Sequence, residues 1–400
     1  MPPSPPHARD PVALAQALIA CPSITPTEAG ALTCLEEHVR PLGFRCQRLP
    51  FDGDDSPPVD NLFARLGDGA PHLCFAGHTD VVPVGDESLW THPPFEPVIA
   101  DGKLWGRGAS DMKGSIAAFV AASAQFLETH GAPKKGSISL MITGDEEGPA
   151  INGTAKMLRW MEAQGMRMDH CLIGEPSNPA RLGDMIKIGR RGSLNMVLTV
   201  AGRQGHAAYP QHAHNPLPQL TALLSALHAM ELDDGSEHFQ PSNLEVVALE
   251  TPSHAFNVIP AWVRARANIR FNDHWTHARL EQHVRAHLDK AAQNAPYMDK
   301  AAQNMPYTLE TFPNGEWFLT RPNQFVTMVQ DVVRTISGGE AKLSTDGGTS
   351  DGRFIHRYAP VLEFGPLNTS IHQIDEHIAL ADLTALTEIY RTILERYFSA

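Results

Sequence analysis

Three short apolar runs end in the same manner. LCFAGHTD (73–80), ISLMITGDEEG (138–148) and HCLIGEPS (170–177) each close on a glycine followed within three residues by an acid. Apolar runs of this length, bounded by glycine, read as buried strands, and the helical patterns between them read as crossovers. A strand, crossover, strand succession predicts an α/β sheet that is mostly parallel and delivers its acids to the carboxyl edge, where open α/β folds keep their sites. On an extended strand His78 and Asp80 face the same side, so Asp80 is expected to accept a proton from one imidazole nitrogen while the other nitrogen faces a metal. Alone, such a pair is weak evidence, because a histidine at a strand end is more often a satisfied structural residue. Asp145, Glu146 and Glu147 repel one another at a buried strand end unless positive charge sits there, the alternative being a surface acidic turn. In GRGASDMKG (106–114), Ser110 or Asp111 is either a helix N-cap or an acid projecting from a loop into a cleft.

Composition limits the partners. A chain of 400 residues, 42% hydrophobic and 19% charged, is too long for one core and predicts two domains. A formal charge of −13 without a basic run argues against nucleic acid, so an anionic substrate needs a few local arginines acting against the global field. No apolar run reaches the roughly 18 residues of a membrane helix. MPPSPPHARD reads as a short disordered tail and not as a secretory signal, which predicts a cytoplasmic protein. The five cysteines, Cys21, Cys34, Cys46, Cys74 and Cys171, show no C-x-x-C pair and read as reduced, mostly buried thiols. A metal site must then be built from histidine and carboxylate.

After Arg191 the rhythm changes. Ser193 to Val200 and Trp262 to Phe271 alternate as half-exposed strands, and helical patterns run over 217–232 and 276–292. These make a small α+β insert at 192–315 within a discontinuous first domain of 1–191 and 316–400. Its motifs are AGRQGHAAYP, with His206 on a glycine-flanked turn, and FNVIPAWVRARANIRF, with Asn257 at the strand entry. The alternation of Arg264, Arg266 and Arg270 reads as a solvated face or an anion contact. DKAAQNAPYM (289–298) is followed at once by DKAAQNMPYT (299–308), a tandem duplication expected to be functionally silent. The chain then returns through the Gly/Ser/Thr/Asp-rich loop STDGGTSDGRF (344–354) to a loop carrying His372 and a C-terminal helix.

Taken together, GHTDVVPVG, GRGASDMKG, GDEEG, GEPS, GRQGHAAYP and NTSIHQIDE resemble, in order and spacing, the co-catalytic dizinc deacylases and peptidases that include aminoacylase, acetylornithine deacetylase and the glutamate-releasing carboxypeptidases. The likeness runs from about Pro11 to Tyr397. GRRGSLN, STDGGTSDGRF and NxxIHQxDE look most like the branch that removes a succinyl group from a diamino dicarboxylic acid in the bacterial lysine pathway. The resemblance implies a zinc-hydrolase catalytic domain whose inserted domain serves as lid and dimerisation unit. It implies two Zn²⁺ per subunit, with Co²⁺ able to substitute: one held by His78 and Glu175, a second by Glu147 and His372, and Asp111 bridging both. It further implies Asp80 orienting His78, Glu146 as general base, and His206 as an oxyanion donor supplied by the partner of a homodimer. Arg190, Ser193, Tyr209, Asn257, Arg270, Gly348 and Thr349 become the substrate contacts. Sibling hydrolases share these metals with a different acyl pocket, whereas a non-catalytic binding protein on the same scaffold would be expected to have lost the base or a ligand.

Overall fold

A computed structural model describes residues 9–294 and 307–399. Most of the N-terminal tail and most of the decamer duplication lie outside the described residues. The chain divides into two compact units, one comprising residues up to Gly189, Leu319–Ser344 and from Ser350 onward, the other Arg190–Phe318 and Thr345–Thr349. The second unit therefore takes Arg190, Arg191, Glu316–Phe318 and Thr345–Thr349, which the sequence reading had assigned to the first.

The first unit is built on an eight-stranded sheet, ordered Arg45–Arg48, Leu62–Asp68, Gly136–Thr143, His72–His78, His170–Ile173, Val361–Glu363, Met185–Lys187, Lys342–Ser344. Its four central strands, from Gly136–Thr143 to Val361–Glu363, run parallel. Leu62–Asp68 and His72–His78 are consecutive in sequence but not adjacent. Gly136–Thr143 inserts between them, antiparallel to the first and parallel to the second. The helix Lys113–His130 makes the crossover, and its alanines are buried along most of its length against the helices Pro11–Ile19 and Leu380–Ser399. Neither Ser110 nor Asp111 caps it, since Met112 holds the N-cap position.

Packing explains the glycine that precedes the acid. A Cβ on Gly174 would stand 2.6 Å from the Phe75 ring and 2.8 Å from Met112 Cε, and one on Gly77 would collide with the same methyl. Both strand ends must be bare where the residue after Asp111 packs down on them.

The second unit is a four-stranded antiparallel sheet, ordered Asn243–Glu250, Trp262–Phe271, Gly192–Ala201, Tyr307–Pro313, with the helices Leu217–His228 and His277–Asn294. Alternation is strict: Leu194, Met196, Leu198 and Val200 face a core shared with Val263, Ala265, Ala267 and Ile269. Period-two patterning sends the apolar half of each strand to that core. The opposite face carries Arg264 and Arg266, which pair with Glu250, and Arg270, which does not join that pairing and donates instead to Thr349 Oγ1 at 2.9 Å. All five cysteines are free thiols, Cys74 and Cys171 buried and the other three half-buried. No helix among the described residues is long and apolar enough to cross a membrane.

Candidate active site

Four parallel strands end side by side, and each brings a histidine or an acid to that edge. His78 is the last residue of its strand, Glu146 and Glu147 lie beyond Thr143, Glu175 beyond Ile173, and Glu363 closes Val361–Glu363. Asp111 comes from the loop before the crossover helix, with a cis peptide bond to Met112, and His372 from a loop where its own φ is +60°.

The polar contacts form one chain. His78 Nε2 lies 3.4 Å from Glu175 Oε1 and 3.1 Å from Asp111 Oδ1. Asp111 Oδ2 lies 3.4 Å from His372 Nε2, which is 2.9 Å from Glu147 Oε1. Each oxygen of Asp111 thus faces a different imidazole, so the contacts fall into two sets, His78 with Glu175 and His372 with Glu147, sharing one carboxylate. Donor atoms of His78, Asp111 and Glu147 also lie within 4.8 Å of one another, as do those of His78, Glu146 and Glu175.

Asp80 acts differently from the sequence expectation. His78 Nδ1 donates to the Asp80 backbone carbonyl at 2.9 Å, and the nearer carboxylate oxygen is 3.7 Å away. The strand stops at His78, so the period-two geometry that would align the two side chains does not extend to Asp80. The Asp80 carboxylate instead accepts the backbone N–H groups of Glu146 (3.3 Å) and Glu147 (3.1 Å). It orients the acidic turn with its side chain and the histidine with its backbone. Asp145 stands apart from the cluster, its Oδ2 accepting from the N–H groups of Ile151 and Asn152 within its own turn.

Burial sets the electrostatics. Glu146 is held well above the usual carboxylate range by desolvation and then by the neighbouring charge of Glu175. Glu175 is pushed to about 7 by burial and then by Asp111. Burial also raises Asp80, to about 6. Asp111 is desolvated too, but hydrogen bonds from His372 and His78 outweigh this and hold it low. His372 rises to about 10 through its bonds to Asp111 and Glu147, and His78 also rises, its carboxylate contacts overcoming burial.

This donor set suits divalent cations. Three carboxylates and two imidazoles converge, and in the metal-free chain protonated histidines stand where positive charge is required. A cation pair would release those protons and leave each imidazole a neutral ligand. His78 is suited to this because its Nδ1 proton is engaged by the Asp80 carbonyl, which leaves Nε2 for the metal.

The titrations carry a testable sign. Glu175, Asp80 and His372 all have folded pKa values above their unfolded ones, so between pH 6 and 9 these three groups bind more protons in the metal-free folded chain than in the unfolded chain, against the opposite shift of buried Lys113, which falls to about 8. Stability present below the unfolded values is therefore lost as pH rises through about 6, 7 and 10. The unfolding midpoint of chelator-treated protein is expected to fall from pH 6 to pH 9. Zn²⁺ at about 100 times its Kd should restore about 2.7 kcal/mol per site and flatten the slope. A midpoint that rises with pH in the chelated protein would contradict the assignment.

The substrate candidates lie in the second unit. Arg190 Nη1 donates to the Asp346 carbonyl at 3.2 Å, and Arg270 to Thr349, so both reach the 345–349 segment that includes Gly348. Ser193 is the register partner of Arg270, and its hydroxyl accepts from Asn268. A separate group forms around His206. Gly205–His206 pairs with Val258–Ile259, Ala207 N–H donates to the Asn257 carbonyl, and the Tyr209 ring lies 5.6 Å from the imidazole. Sequence reasoning overlooked Arg107, Glu363 and Glu376, which are buried around the cluster. Arg107 and Glu376 stand within the motifs GRGASDMKG and NTSIHQIDE, but nothing in the sequence shows that the two meet.

A family model for peptidase family M20/M25/M40 matches residues 74–396. The chain belongs to this family of hydrolases. Its relatives include succinyl-diaminopimelate desuccinylases from Beijerinckia indica, 52% identical with 96% of this chain and 98% of the relative covered, and from Rhodospirillum centenum, 53% identical with 98% of each covered. Among solved structures, an M20 family metallo-carboxypeptidase from Sulfolobus solfataricus superposes with a TM-score of 0.78 at 17% identity, covering 98% of this chain and 100% of that one.

Proposed function

We propose that this chain hydrolyses the amide of N-succinyl-LL-2,6-diaminopimelate, releasing succinate and LL-2,6-diaminopimelate in lysine and diaminopimelate biosynthesis. The observation that carries this reading is identity above half, over essentially the whole chain, to desuccinylases. The convergence of His78, Asp111, Glu147, Glu175 and His372 supports the metal-dependent hydrolysis that it requires.

Two zinc ions bound by those five residues would polarise the scissile carbonyl and lower the pKa of water. The chain's own groups do the rest. Glu146, desolvated and with its pKa raised, takes the proton from the attacking water and returns it to the departing amine. Asp80 holds the backbone of Glu146 and Glu147 so that base and ligand keep their places. Arg190 and Arg270 take the substrate's carboxylates in a chain whose overall charge opposes an anion. Ser193, Tyr209, Asn257, Gly348 and Thr349 complete the binding surface.

A homodimer is supported by the outer strand Asn243–Glu250, whose Val247 and Leu249 are each 66% exposed at a sheet edge. Free thiols at all five cysteines suit a cytoplasmic location.

The deciding assay compares zinc-loaded protein on succinyl-diaminopimelate and on acetylornithine. The succinylated substrate should be turned over with the higher kcat/KM, and a preference for acetylornithine would move the chain to a sibling hydrolase. Arg270→Ala is expected to raise KM or lower kcat/KM for this dianionic substrate, on the order of 10-fold or more for a lost charge-assisted bond. An unchanged kcat/KM would return Arg270 to the solvated strand face.

A further inference from the structure

Beneath the metal-ligand candidates lies a buried ion pair. Glu376 and Arg107 are 0% and 2% exposed, with Arg107 Nη1 2.8 Å from Glu376 Oε2. The other carboxylate oxygen, Oε1, accepts the backbone N–H groups of Ser110 and Asp111, both at 3.0 Å. Arg107 Nη1 also donates to the Gln373 carbonyl at 3.1 Å, and Gly106 N–H donates to the Glu376 carbonyl at 2.9 Å. The Arg107 guanidinium lies over the Trp90 ring at 5.1 Å.

We infer that Glu376 is a positioning residue that locks the Asp111 loop to the His372 loop, so that the shared carboxylate and the exposed imidazole meet one pair of cations in a fixed frame. A buried ion pair is a weak source of stability, because desolvation offsets the attraction. Its use here follows from what it joins. Asp111 must present one oxygen to each imidazole, yet it sits in a loop, and His372 is half exposed with a left-handed backbone that no strand supports. Glu376 grips the amide of Asp111 itself, while Arg107, held by the same carboxylate, grips the carbonyl next to His372. Asp375 adds a second tie to that loop, accepting from Thr91 N–H and Oγ1, each at 2.8 Å. The same device recurs across the site, where buried Asp80 takes the amides of Glu146 and Glu147. The Asp111 loop and the Glu146–Glu147 turn are thus each set by a buried carboxylate that accepts backbone N–H groups.

This inference rests on the metal reading of the site. The number of cations bound by the wild-type chain tests that reading, and the difference between variant and wild type tests the inference. Glu376→Gln is nearly isosteric, but an amide cannot serve both sides: with its oxygen towards Ser110 and Asp111, its NH₂ faces Arg107. Zn²⁺ affinity, measured by competition with a chromophoric chelator, should fall 10- to 100-fold for at least one cation. The visible absorption of the Co²⁺-loaded variant should also change, because its band positions report ligand geometry. Arg107→Lys keeps the charge but is shorter, so its single ammonium has to replace Nη1 on both Glu376 and the Gln373 carbonyl while the Nη2 bond to the Pro83 carbonyl is lost, and it should show the same two changes to a smaller extent. If Glu376→Gln does not accumulate as folded protein, Arg107→Lys decides by the same readouts. Wild-type affinities and an unchanged Co²⁺ spectrum, with only a lowered unfolding midpoint, would make the pair a prop of the fold and overturn the inference.

Discussion

Glu146→Gln is expected to abolish nearly all turnover while leaving the metal content of the protein unchanged. The two neighbouring glutamates are held by one carboxylate through their backbones, yet their side chains have different company. Glu147 Oε1 is 2.9 Å from His372, and Glu147 belongs to the chain of contacts that Asp111 shares. The Glu146 carboxylate takes no hydrogen bond among the described residues, and its pKa is lifted by burial and by Glu175. A carboxylate without a fixed partner, poised to hold a proton, suits general base work, whereas one pinned to an imidazole suits ligation. Removing a general acid–base costs on the order of 10²–10⁴ in rate. Metal analysis separates the roles, because Glu146 also lies within reach of His78 and Glu175. A glutamine variant that loses a cation, or one that retains substantial activity, would exchange the assignments of Glu146 and Glu147.

How much of this was legible beforehand follows from the range of the interactions. Glycine and acid at the ends of apolar runs announce strand ends, and the parallel sheet gathers Glu146, Glu147 and Glu175 at one edge because crossover connections leave no other arrangement. The alternation of Leu194, Met196, Leu198 and Val200 likewise identifies a one-sided sheet. Strand order is another matter. Nothing in residues 62–78 tells that Gly136–Thr143 separates two consecutive strands. Asp80 was misread because a strand's period was carried two residues past its end. Glu376 could not be placed at all, since its bond to the Asp111 amide spans 265 positions and lies between two loops without periodicity. Short-range pattern reports strands and their faces. Contacts between loops, which set a site's geometry, leave no such trace.

His206→Ala is expected to lower kcat by on the order of 10²–10³, the cost of one oxyanion donor, without altering zinc binding. The geometry suits His206 to that role. Ala208 N–H donates to His206 Nδ1 at 3.0 Å, and a backbone N–H can only donate, so Nδ1 is the acceptor and the neutral ring carries its proton on Nε2. The exposed edge of the imidazole is therefore a hydrogen-bond donor, as a developing oxyanion requires. The turn that bears it is braced by the Gly205–His206 pairing with Val258–Ile259 and by the Asn257 carbonyl, so the donor is held in place although it is exposed. Our reading is that this donor serves the partner subunit, and subunit exchange tests it. His206→Ala chains, whose metal site is whole, are mixed with Glu146→Gln chains, whose His206 is whole. Each mixed dimer should then contain one competent site, formed by Glu146 of one chain and His206 of the other. With random exchange of equal amounts, half the dimers are mixed, so activity should recover to about one quarter of wild type per subunit, far above either mutant alone. If exchange is demonstrated by mass and activity remains at the level of the separate variants, His206 works within its own chain, and its loss in kcat must be explained there.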